Sequence, residues 1–300
     1  MKKNKKYYGV IVPMLTPLDE NLKIDVLSLE KMLDTYIRDK NFPFVLGTTG
    51  EIASNSFENR ETLVKNAGRY INGRTTFYAG VTDNCVENTI ETTKRYSGYG
   101  VDAMVVHLPY FFPLTEGLIL NYFEYVADNS PSPIIIYNIK SITRTSISVE
   151  IIEKLSSHDN IVGLKDSDRD IKRVEILADK FRNREDFSLF IGWTNKSSEA
   201  LKLGFDGIIP NTANVVPSLF ERLYNSAILG NHEEALKIQG RAEMLSELVQ
   251  NNRTMTRTIP ELKAIMNHLG LCKPFVLPPL EKLKDDEADI LVKEFIRLDL

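Results

Sequence analysis

The feature that most constrains the fold of this chain is a regular alternation of short apolar runs with longer amphipathic segments. Eight apolar runs rich in β-branched residues recur at intervals of roughly thirty residues, which is typical of strands alternating with helices. Such alternation predicts a parallel sheet, and eight units within roughly two hundred residues favour a closed (β/α)₈ barrel of the α/β class. The predicted strands are Tyr8–Met14, Phe42–Leu46, Thr76–Val81, Ala103–Leu108, Ile134–Tyr137, Ile161–Lys165, Ser188–Ile191 and Gly207–Ile209.

The last quarter of the chain shows a different pattern, because no strand-like run recurs from Asn231 onward. Helices are predicted there at His232–Val249, Pro260–His268 and Asp285–Leu298, with the Pro-rich segment Lys273–Leu280 as a connector. No Ser/Gly-rich linker precedes this part. We therefore expect a barrel over residues 1–230 and a C-terminal helical extension over residues 231–300 that packs on the barrel.

Composition excludes several classes of protein. The net charge of −4 argues against a nucleic-acid partner, because no basic excess exists to neutralise phosphates. No apolar stretch approaches the length of a membrane span, and the start of the chain shows no signal-peptide cleavage pattern. The only cysteines, Cys85 and Cys272, predict neither a disulfide framework nor a zinc site, which favours a reducing, cytoplasmic location. The four histidines, including His107, have no metal-ligand spacing and are interpreted as structural.

Lys165 is the most informative single residue, because it ends the apolar run Ile161–Lys165. An unperturbed lysine, with a pKa near ~10.4, has only about one neutral amine in ~2,500 at pH 7. Burial at a strand end lowers the pKa and yields a nucleophilic amine of the kind that forms Schiff bases with ketones. The alternative interpretation is a structural lysine paired with Asp166 or Asp168.

Polar and aromatic residues follow several of the predicted strands. In a (β/α)₈ barrel the catalytic groups come from the carboxyl ends of the strands, so these residues are expected to converge on one rim. Gly47-Thr48-Thr49-Gly50-Glu51 combines flexible glycines with hydroxyl and amide donors, and can hold a carboxylate without a cation. Tyr137 ends the strand before that of Lys165, which places its phenol within reach of the same small substrate.

The ordered combination of these motifs resembles the dihydrodipicolinate synthase / N-acetylneuraminate lyase family of pyruvate-dependent class I aldolases. The resemblance covers nearly the whole chain. It rests on Gly9–Pro13 followed by Leu15-Thr16-Pro17, Gly47–Glu51, Pro109-Tyr110-Phe111 with Glu116-Gly117, Tyr137-Asn138, Gly163–Ser167 and Gly207–Asn214.

This resemblance implies an eight-stranded barrel with a helical C-terminal extension, assembled as a homotetramer (a dimer of dimers) or a homodimer. It implies that Lys165 forms an imine with pyruvate or another 2-oxo acid, and that Thr48 and Thr49 bind the carboxylate of the 2-oxo acid. Tyr137 would relay protons, with Thr48 orienting its hydroxyl as part of the relay, and no metal or organic cofactor would be needed. The residues expected to contact the substrate are Gly47, Thr49, Tyr110, Phe111, Thr143, Gly192 and Ile209.

Two departures from the family pattern bear on the substrate. The synthase branch carries an arginine for the distal carboxylate of its aldehyde substrate where this chain has Ile142, and Arg144 and Lys140 replace it only if the loop takes another path. An isoleucine cannot make the bidentate contact of an arginine. Phe111 occupies the position of a relay tyrosine, so Tyr110 would have to supply that hydroxyl from a shifted loop.

These observations together predict a Schiff-base-forming lyase acting on a 2-keto-3-deoxy sugar acid or a related 2-oxo acid. One alternative is 4-hydroxy-tetrahydrodipicolinate synthesis from pyruvate and aspartate semialdehyde. A second is a non-catalytic protein that binds 2-oxo acids on the same barrel, which the loss of the relay tyrosine at Phe111 would permit.

Overall fold

Eight parallel strands pair in chain order and close into a barrel in the computed structural model, which describes residues 5–250 and 254–300. The predicted fold class is thus confirmed, and each strand lies within two residues of its predicted bounds. The strands are β1 Gly9–Pro13, β2 Phe42–Val45, β3 Tyr78–Gly80, β4 Ala103–His107, β5 Ile134–Asn138, β6 Ile161–Asp166, β7 Ser188–Ile191 and β8 Gly207–Ile208.

Helices follow the strands and cover the outside of the barrel. Several begin at side chains that accept a hydrogen bond from a free backbone N–H of the first turn, as Asp25 does from Ser28 and Ser56 from Asn59. The helices of this part are α1 Val26–Arg38, α2 Phe57–Ile71, α3 Val86–Ser97, α4 Glu116–Asn129, α5 Lys140–Thr143, α6 Val149–Leu155, α7 Ile171–Phe181, α8 Ser197–Leu203 and α9 Pro217–Ile228.

Three further helices follow: α10 His232–Gln250, α11 Met255–His268 and α12 Asp285–Arg297. The predicted start of α11 at Pro260 is wrong, because the helix begins at Met255 and Pro260 lies inside it. A proline within a helix costs one N–H···O bond. That loss is offset here by burial of Ile259 and Leu262 and by the Thr258 hydroxyl, which donates to the carbonyl of Val249 at 2.9 Å.

Helix α10 contacts the barrel at the rim formed by the carboxyl ends of the strands. The buried side chain of Gln239 accepts a hydrogen bond from the N–H of Ser198 at 3.1 Å and donates to the carbonyl of Thr194 at 3.0 Å. Thr194 follows β7, so the end of that strand is covered by residues far along the chain. Within the described residues, no helix has the length and apolar character needed to cross a membrane.

The apolar core has two parts because side chains on a strand alternate between its faces. One part lies between the strands and the surrounding helices. The other fills the barrel interior, and its buried members are Tyr7, Ile11, Phe44, Tyr78, Ala103, Val105, Ile135, Tyr137, Ile139, Phe190 and Ile209. The interior is therefore packed up to the level of Tyr137, and a substrate can enter only above it.

Asn214 connects the first strand to the segment after the last strand. Its Oδ1 accepts hydrogen bonds from the Leu15 N–H at 2.9 Å and the Tyr36 hydroxyl at 3.1 Å. Its Nδ2 donates to the carbonyls of Pro13 and Asn211 at 2.9 and 2.8 Å. Only two residue pairs join β1 to β8, so this buried amide reinforces the closure of the barrel.

We predict that Asn214→Leu lowers the free energy of unfolding by about 2–4 kcal/mol, because it leaves buried donors and acceptors without partners. Urea unfolding followed by circular dichroism measures the change. Asn129→Ala is the control: its amide donates to Tyr125 at an exposed position, and the expected change is within about 0.5 kcal/mol. Equal losses in the two variants would contradict this role for Asn214.

Candidate active site

Four residues at the ends of neighbouring strands lie at one level of the barrel. In the parallel register His107 pairs with Tyr137, Tyr137 with Lys165, and Lys165 with Phe190. Residues paired in this way point to the same side of the sheet. Because Tyr137 and Phe190 belong to the interior cluster, Lys165 and His107 also point into the barrel.

The amine of Lys165 is buried between aromatic rings. Only 4% of the residue is exposed, and its Nζ lies 3.8 Å from the centre of the Tyr137 ring and 5.0 Å from that of Phe44. Burial lowers the pKa of Lys165, and the neighbouring Tyr137 opposes this shift only in part. Within the described ranges no carboxylate forms an ion pair with this amine.

The interpretation of Lys165 as a partner of Asp166 or Asp168 is wrong. Asp166 points to the opposite face of β6, where its Oδ2 accepts hydrogen bonds from Asn138 Nδ2 and Arg173 Nε, both at 2.9 Å. Asp168 accepts from the Ser146 hydroxyl at 2.5 Å and the Lys140 N–H at 3.3 Å. Both carboxylates are thus occupied elsewhere.

The side chains of Tyr137, near the end of β5, and Thr48, in the loop after β2, come together close to Lys165. Their hydroxyl oxygens are 3.4 Å apart, at the long end of the range for a hydrogen bond. Tyr137 is 5% exposed and Thr48 is half-buried, so the pair lies at the boundary between the packed interior and the rim. The arrangement can carry a proton from the region of Lys165 toward Thr48.

The loop Gly47–Glu51 turns sharply after β2. Leu46 and Glu51 both have φ near +57°, a conformation that costs energy for residues with a side chain. A side chain does not fit at Gly50, because a Cβ there would lie 2.9 Å from the carbonyl oxygen of Met14. The Thr16 hydroxyl donates to the carbonyl of Gly50 at 2.6 Å, which fixes the turn. Thr49, in the centre of the loop, is buried.

The remaining predicted substrate contacts fall into different environments. Ile209 lines the barrel interior, and Gly192 packs closely on Ser167, because a Cβ at Gly192 would lie 2.1 Å from the Ser167 Oγ. Thr143 is buried, with its hydroxyl within hydrogen-bond distance of the carbonyls of Ile139 and Thr145.

Tyr110 and Phe111 lie outside the buried layer. They are 44% and 74% exposed, and Phe111 packs edge-on against Phe112, itself 71% exposed. The rings that face the Lys165 amine among the described residues are those of Tyr137 and Phe44. The Tyr110 ring lies 6.4 Å, between ring centres, from that of His107, with the two planes tilted by 36°.

His107 is the residue of this site that sequence reasoning missed. Its Nδ1 lies 2.7 Å from the carbonyl oxygen of Leu108, and burial lowers its pKa. We therefore assign the neutral tautomer with the proton on Nδ1, which leaves Nε2 as an acceptor. Alternation along β4 was the available signal, since Ala103 and Val105 face the interior and His107 is the next residue on that face.

Comparison with known proteins is consistent with this geometry. The model of the dihydrodipicolinate synthetase family matches residues 6–296. The chain belongs to this family. It is 29% identical over 291 residues to a 4-hydroxy-tetrahydrodipicolinate synthase of Staphylococcus haemolyticus, with 96% of each chain covered. It is 31% identical over 294 residues to an uncharacterized DapA-like lyase of Thermococcus onnurineus, covering 96% of this chain and 98% of the other.

The fold has close matches among solved structures. A dihydrodipicolinate synthase of Bacteroides thetaiotaomicron superposes with a TM-score of 0.93 at 26% identity, covering 98% of this chain and 99% of the other. The chain is accordingly a class I aldolase or lyase of this family. Within the described residues, no group of His, Cys, Asp and Glu side chains is placed to hold a metal ion.

We predict that the rate of imine formation at Lys165 rises with pH and reaches half its maximum below pH 10.5. Only the neutral amine attacks a ketone, and burial lowers the pKa of this lysine from the ordinary value of 10.5. The rate of reductive trapping of pyruvate by cyanoborohydride, measured at several pH values, gives the midpoint. A free lysine derivative provides the reference curve. A midpoint at or above that of the reference would contradict the proposed environment.

Proposed function

We propose that the protein forms a Schiff base between Lys165 and the ketone of pyruvate or another 2-oxo acid. The observation that supports this most is the buried amine, which lies between two aromatic rings and away from every described carboxylate. The neutral amine adds to the ketone carbon, the hydroxyl of the resulting carbinolamine takes up a proton and leaves as water, and a protonated imine remains. This cation accepts the electron pair released by deprotonation or carbon–carbon cleavage, and an enamine results.

The neighbouring residues have roles that follow from their positions. Tyr137, whose ring lies next to Lys165, transfers protons, and Thr48 orients the Tyr137 hydroxyl. Thr48, Thr49 and the backbone from Gly47 onward bind the substrate carboxylate through neutral donors. Gly192 and Ile209 bound the space around the substrate methyl group. We propose no metal or organic cofactor.

For the second part of the substrate we propose a 2-keto-3-deoxy sugar acid or a related 2-oxo acid. Ile142 in α5 is 38% exposed and presents an apolar side chain where a distal carboxylate would need a cation. Arg144 and Lys140 are both exposed, and Arg144 has a left-handed backbone with φ of 59° at the end of α5. A sugar acid presents hydroxyls at this place, which need no such cation.

The main alternative is condensation of pyruvate with aspartate semialdehyde. The Staphylococcus haemolyticus relative, a 4-hydroxy-tetrahydrodipicolinate synthase, favours this activity. At 29% identity the two proteins can differ in substrate. The other alternative, a non-catalytic 2-oxo acid binding protein, is disfavoured because family membership makes the chain a lyase.

We also propose a homodimer or homotetramer, a cytoplasmic location, and a division into a barrel over residues 1–230 and a C-terminal extension over residues 231–300. Exposure of the adjacent rings of Tyr110, Phe111 and Phe112 supports an assembly that covers them. The free thiols of Cys85 and Cys272 are consistent with a reducing compartment.

The test of the proposed function is reductive trapping. Incubation with pyruvate and cyanoborohydride should add one stable three-carbon group to Lys165, located by peptide mass spectrometry, and Lys165→Ala should abolish it. Lys263 is the internal control, since it is equally buried but ion-paired to Glu51 at 2.6 Å. An adduct at Lys263 or elsewhere, or none with any 2-oxo acid, would remove the proposed mechanism.

A second experiment tests the choice of substrate. We predict that Ile142→Arg raises kcat/KM for aspartate semialdehyde by roughly ten- to a hundredfold, the effect of one charge-assisted contact of ~1.5–3 kcal/mol. Ile228→Arg is the matched control, because Ile228 is 40% exposed on α9 and gains the same charge. Efficient condensation by the unaltered protein would instead show that Arg144 or Lys140 already supplies the cation, and would favour the synthase activity.

A further inference from the structure

A buried ion pair joins the loop after β2 to the C-terminal extension. The Nζ of Lys263, on α11, lies 2.6 Å from Oε1 of Glu51, and the two side chains are 0% and 1% exposed. Glu51 is the last residue of the loop Gly47–Glu51. The two residues are far apart in the sequence, so the pair is a tertiary link between the loop and the C-terminal extension.

Both members of the pair make further hydrogen bonds. Lys263 Nζ donates to the carbonyl oxygen of Phe275 at 2.5 Å. Glu51 Oε2 accepts from the N–H of Leu277 at 2.7 Å. The loop is therefore held at once by helix α11 and by the connector after it. With these contacts the Glu51 carboxylate cannot shift without breaking bonds to two separate segments.

The backbone of Glu51 passes this restraint to the threonines. Its N–H donates to the carbonyl of Thr48 at 3.1 Å, and its own φ of +57° is strained. The Asn55 side chain donates to the carbonyls of Gly50 and Glu51 at 3.0 and 3.1 Å. A short turn, held by these hydrogen bonds, thus connects the Glu51 carboxylate to the backbone of Thr48 and Thr49.

Stability alone is a weak reason for such a pair. Moving two charges out of water costs as much as their attraction returns, and apolar replacements of a buried pair are often neutral or stabilising. Both side chains are out of water, at 0% and 1% exposed, so the pair bears this desolvation cost, and burial lowers the pKa of Lys263 against the opposing effect of Glu51. A pair buried at that cost, on a strained turn beside Thr48 and Thr49, is placed to hold the geometry of the loop.

We propose that Lys263 and Glu51 are positioning residues, which hold the loop Gly47–Glu51 so that Thr48 and Thr49 bind the carboxylate of the 2-oxo acid. The C-terminal extension thereby takes part in substrate recognition, although it supplies no atom that touches the substrate. This inference rests on the proposed function, since it assigns a supporting role to residues outside the site proposed there.

The experiment compares two ketones that differ in the carboxylate. Pyruvate has one, and hydroxyacetone is a neutral three-carbon ketone without it. The rate of cyanoborohydride trapping at Lys165 is measured with each ketone for the unaltered protein, for Glu51→Gln, for Lys263→Met and for the double variant. The double variant leaves no unpaired buried charge. Lys5→Met is the matched control, because it disrupts a pair with Asp206 at 2.7 Å that is as deeply buried at the opposite end of the barrel.

We expect each variant of the pair to lower the trapping rate with pyruvate by roughly ten- to a hundredfold, the effect of losing one or two charge-assisted hydrogen bonds. The rate with hydroxyacetone should fall far less, by at most about threefold, because this ketone has no carboxylate contact to lose and shares with pyruvate only the orientation of the Tyr137 hydroxyl by Thr48. Lys263→Arg, which keeps the cation, should recover part of the pyruvate rate. Lys5→Met should leave the ratio of the two rates unchanged.

An equal fall of both rates, or no fall in either, would overturn the positioning role. Failure of Glu51→Gln and of the double variant to fold would do the same, since the pair would then serve stability. These outcomes differ from failure of the proposed function, which would appear as the absence of any Lys165 adduct in the unaltered protein.

Discussion

The register of strands β4 to β7 is the constraint on which the site depends. Parallel pairing sets His107, Tyr137, Lys165 and Phe190 at one level, and alternation turns all four into the barrel. A shift of one residue in β6 would send the amine of Lys165 to the outer face and bring Asp166 inside. The register of the backbone hydrogen bonds thus decides which side chains face the barrel interior at this level.

The same alternation separates the charges of β6. Lys165 and Asp166 are adjacent in the sequence, yet they face opposite sides of the strand, and Asp166 is bound to Asn138 and Arg173 outside the barrel. An ion pair within the strand would have kept the amine protonated. Two aromatic rings provide the surroundings instead, so the lysine is buried without a permanent anionic partner.

Much of this could be predicted from the sequence, because strands and helices differ in the period of their apolar residues. The eight strands, the Gly47–Glu51 loop and the strand-end positions of Lys165 and Tyr137 follow from local patterns. The start of α11 did not follow from such a pattern. Pro260 is a strong local signal for the start of a helix, and burial of Ile259 and Leu262 outweighs it. Alternation along β4 indicates that His107 faces the interior, but its place beside Tyr137 is set by the pairing of β4 with β5, which no local pattern gives. The Lys263–Glu51 pair joins distant segments, and no local pattern predicts such a contact.

The aromatic surroundings of Lys165 have a consequence for the timing of the proposed reaction. The faces of Tyr137 and Phe44 attract positive charge at Nζ, whether it belongs to an ammonium or to an iminium ion. The enamine that follows carries no such charge and loses this attraction. The two rings therefore favour the charged imine over the neutral enamine. Formation of the enamine works against this attraction, and its capture by an electrophile or a proton restores the charge at Nζ and the attraction with it.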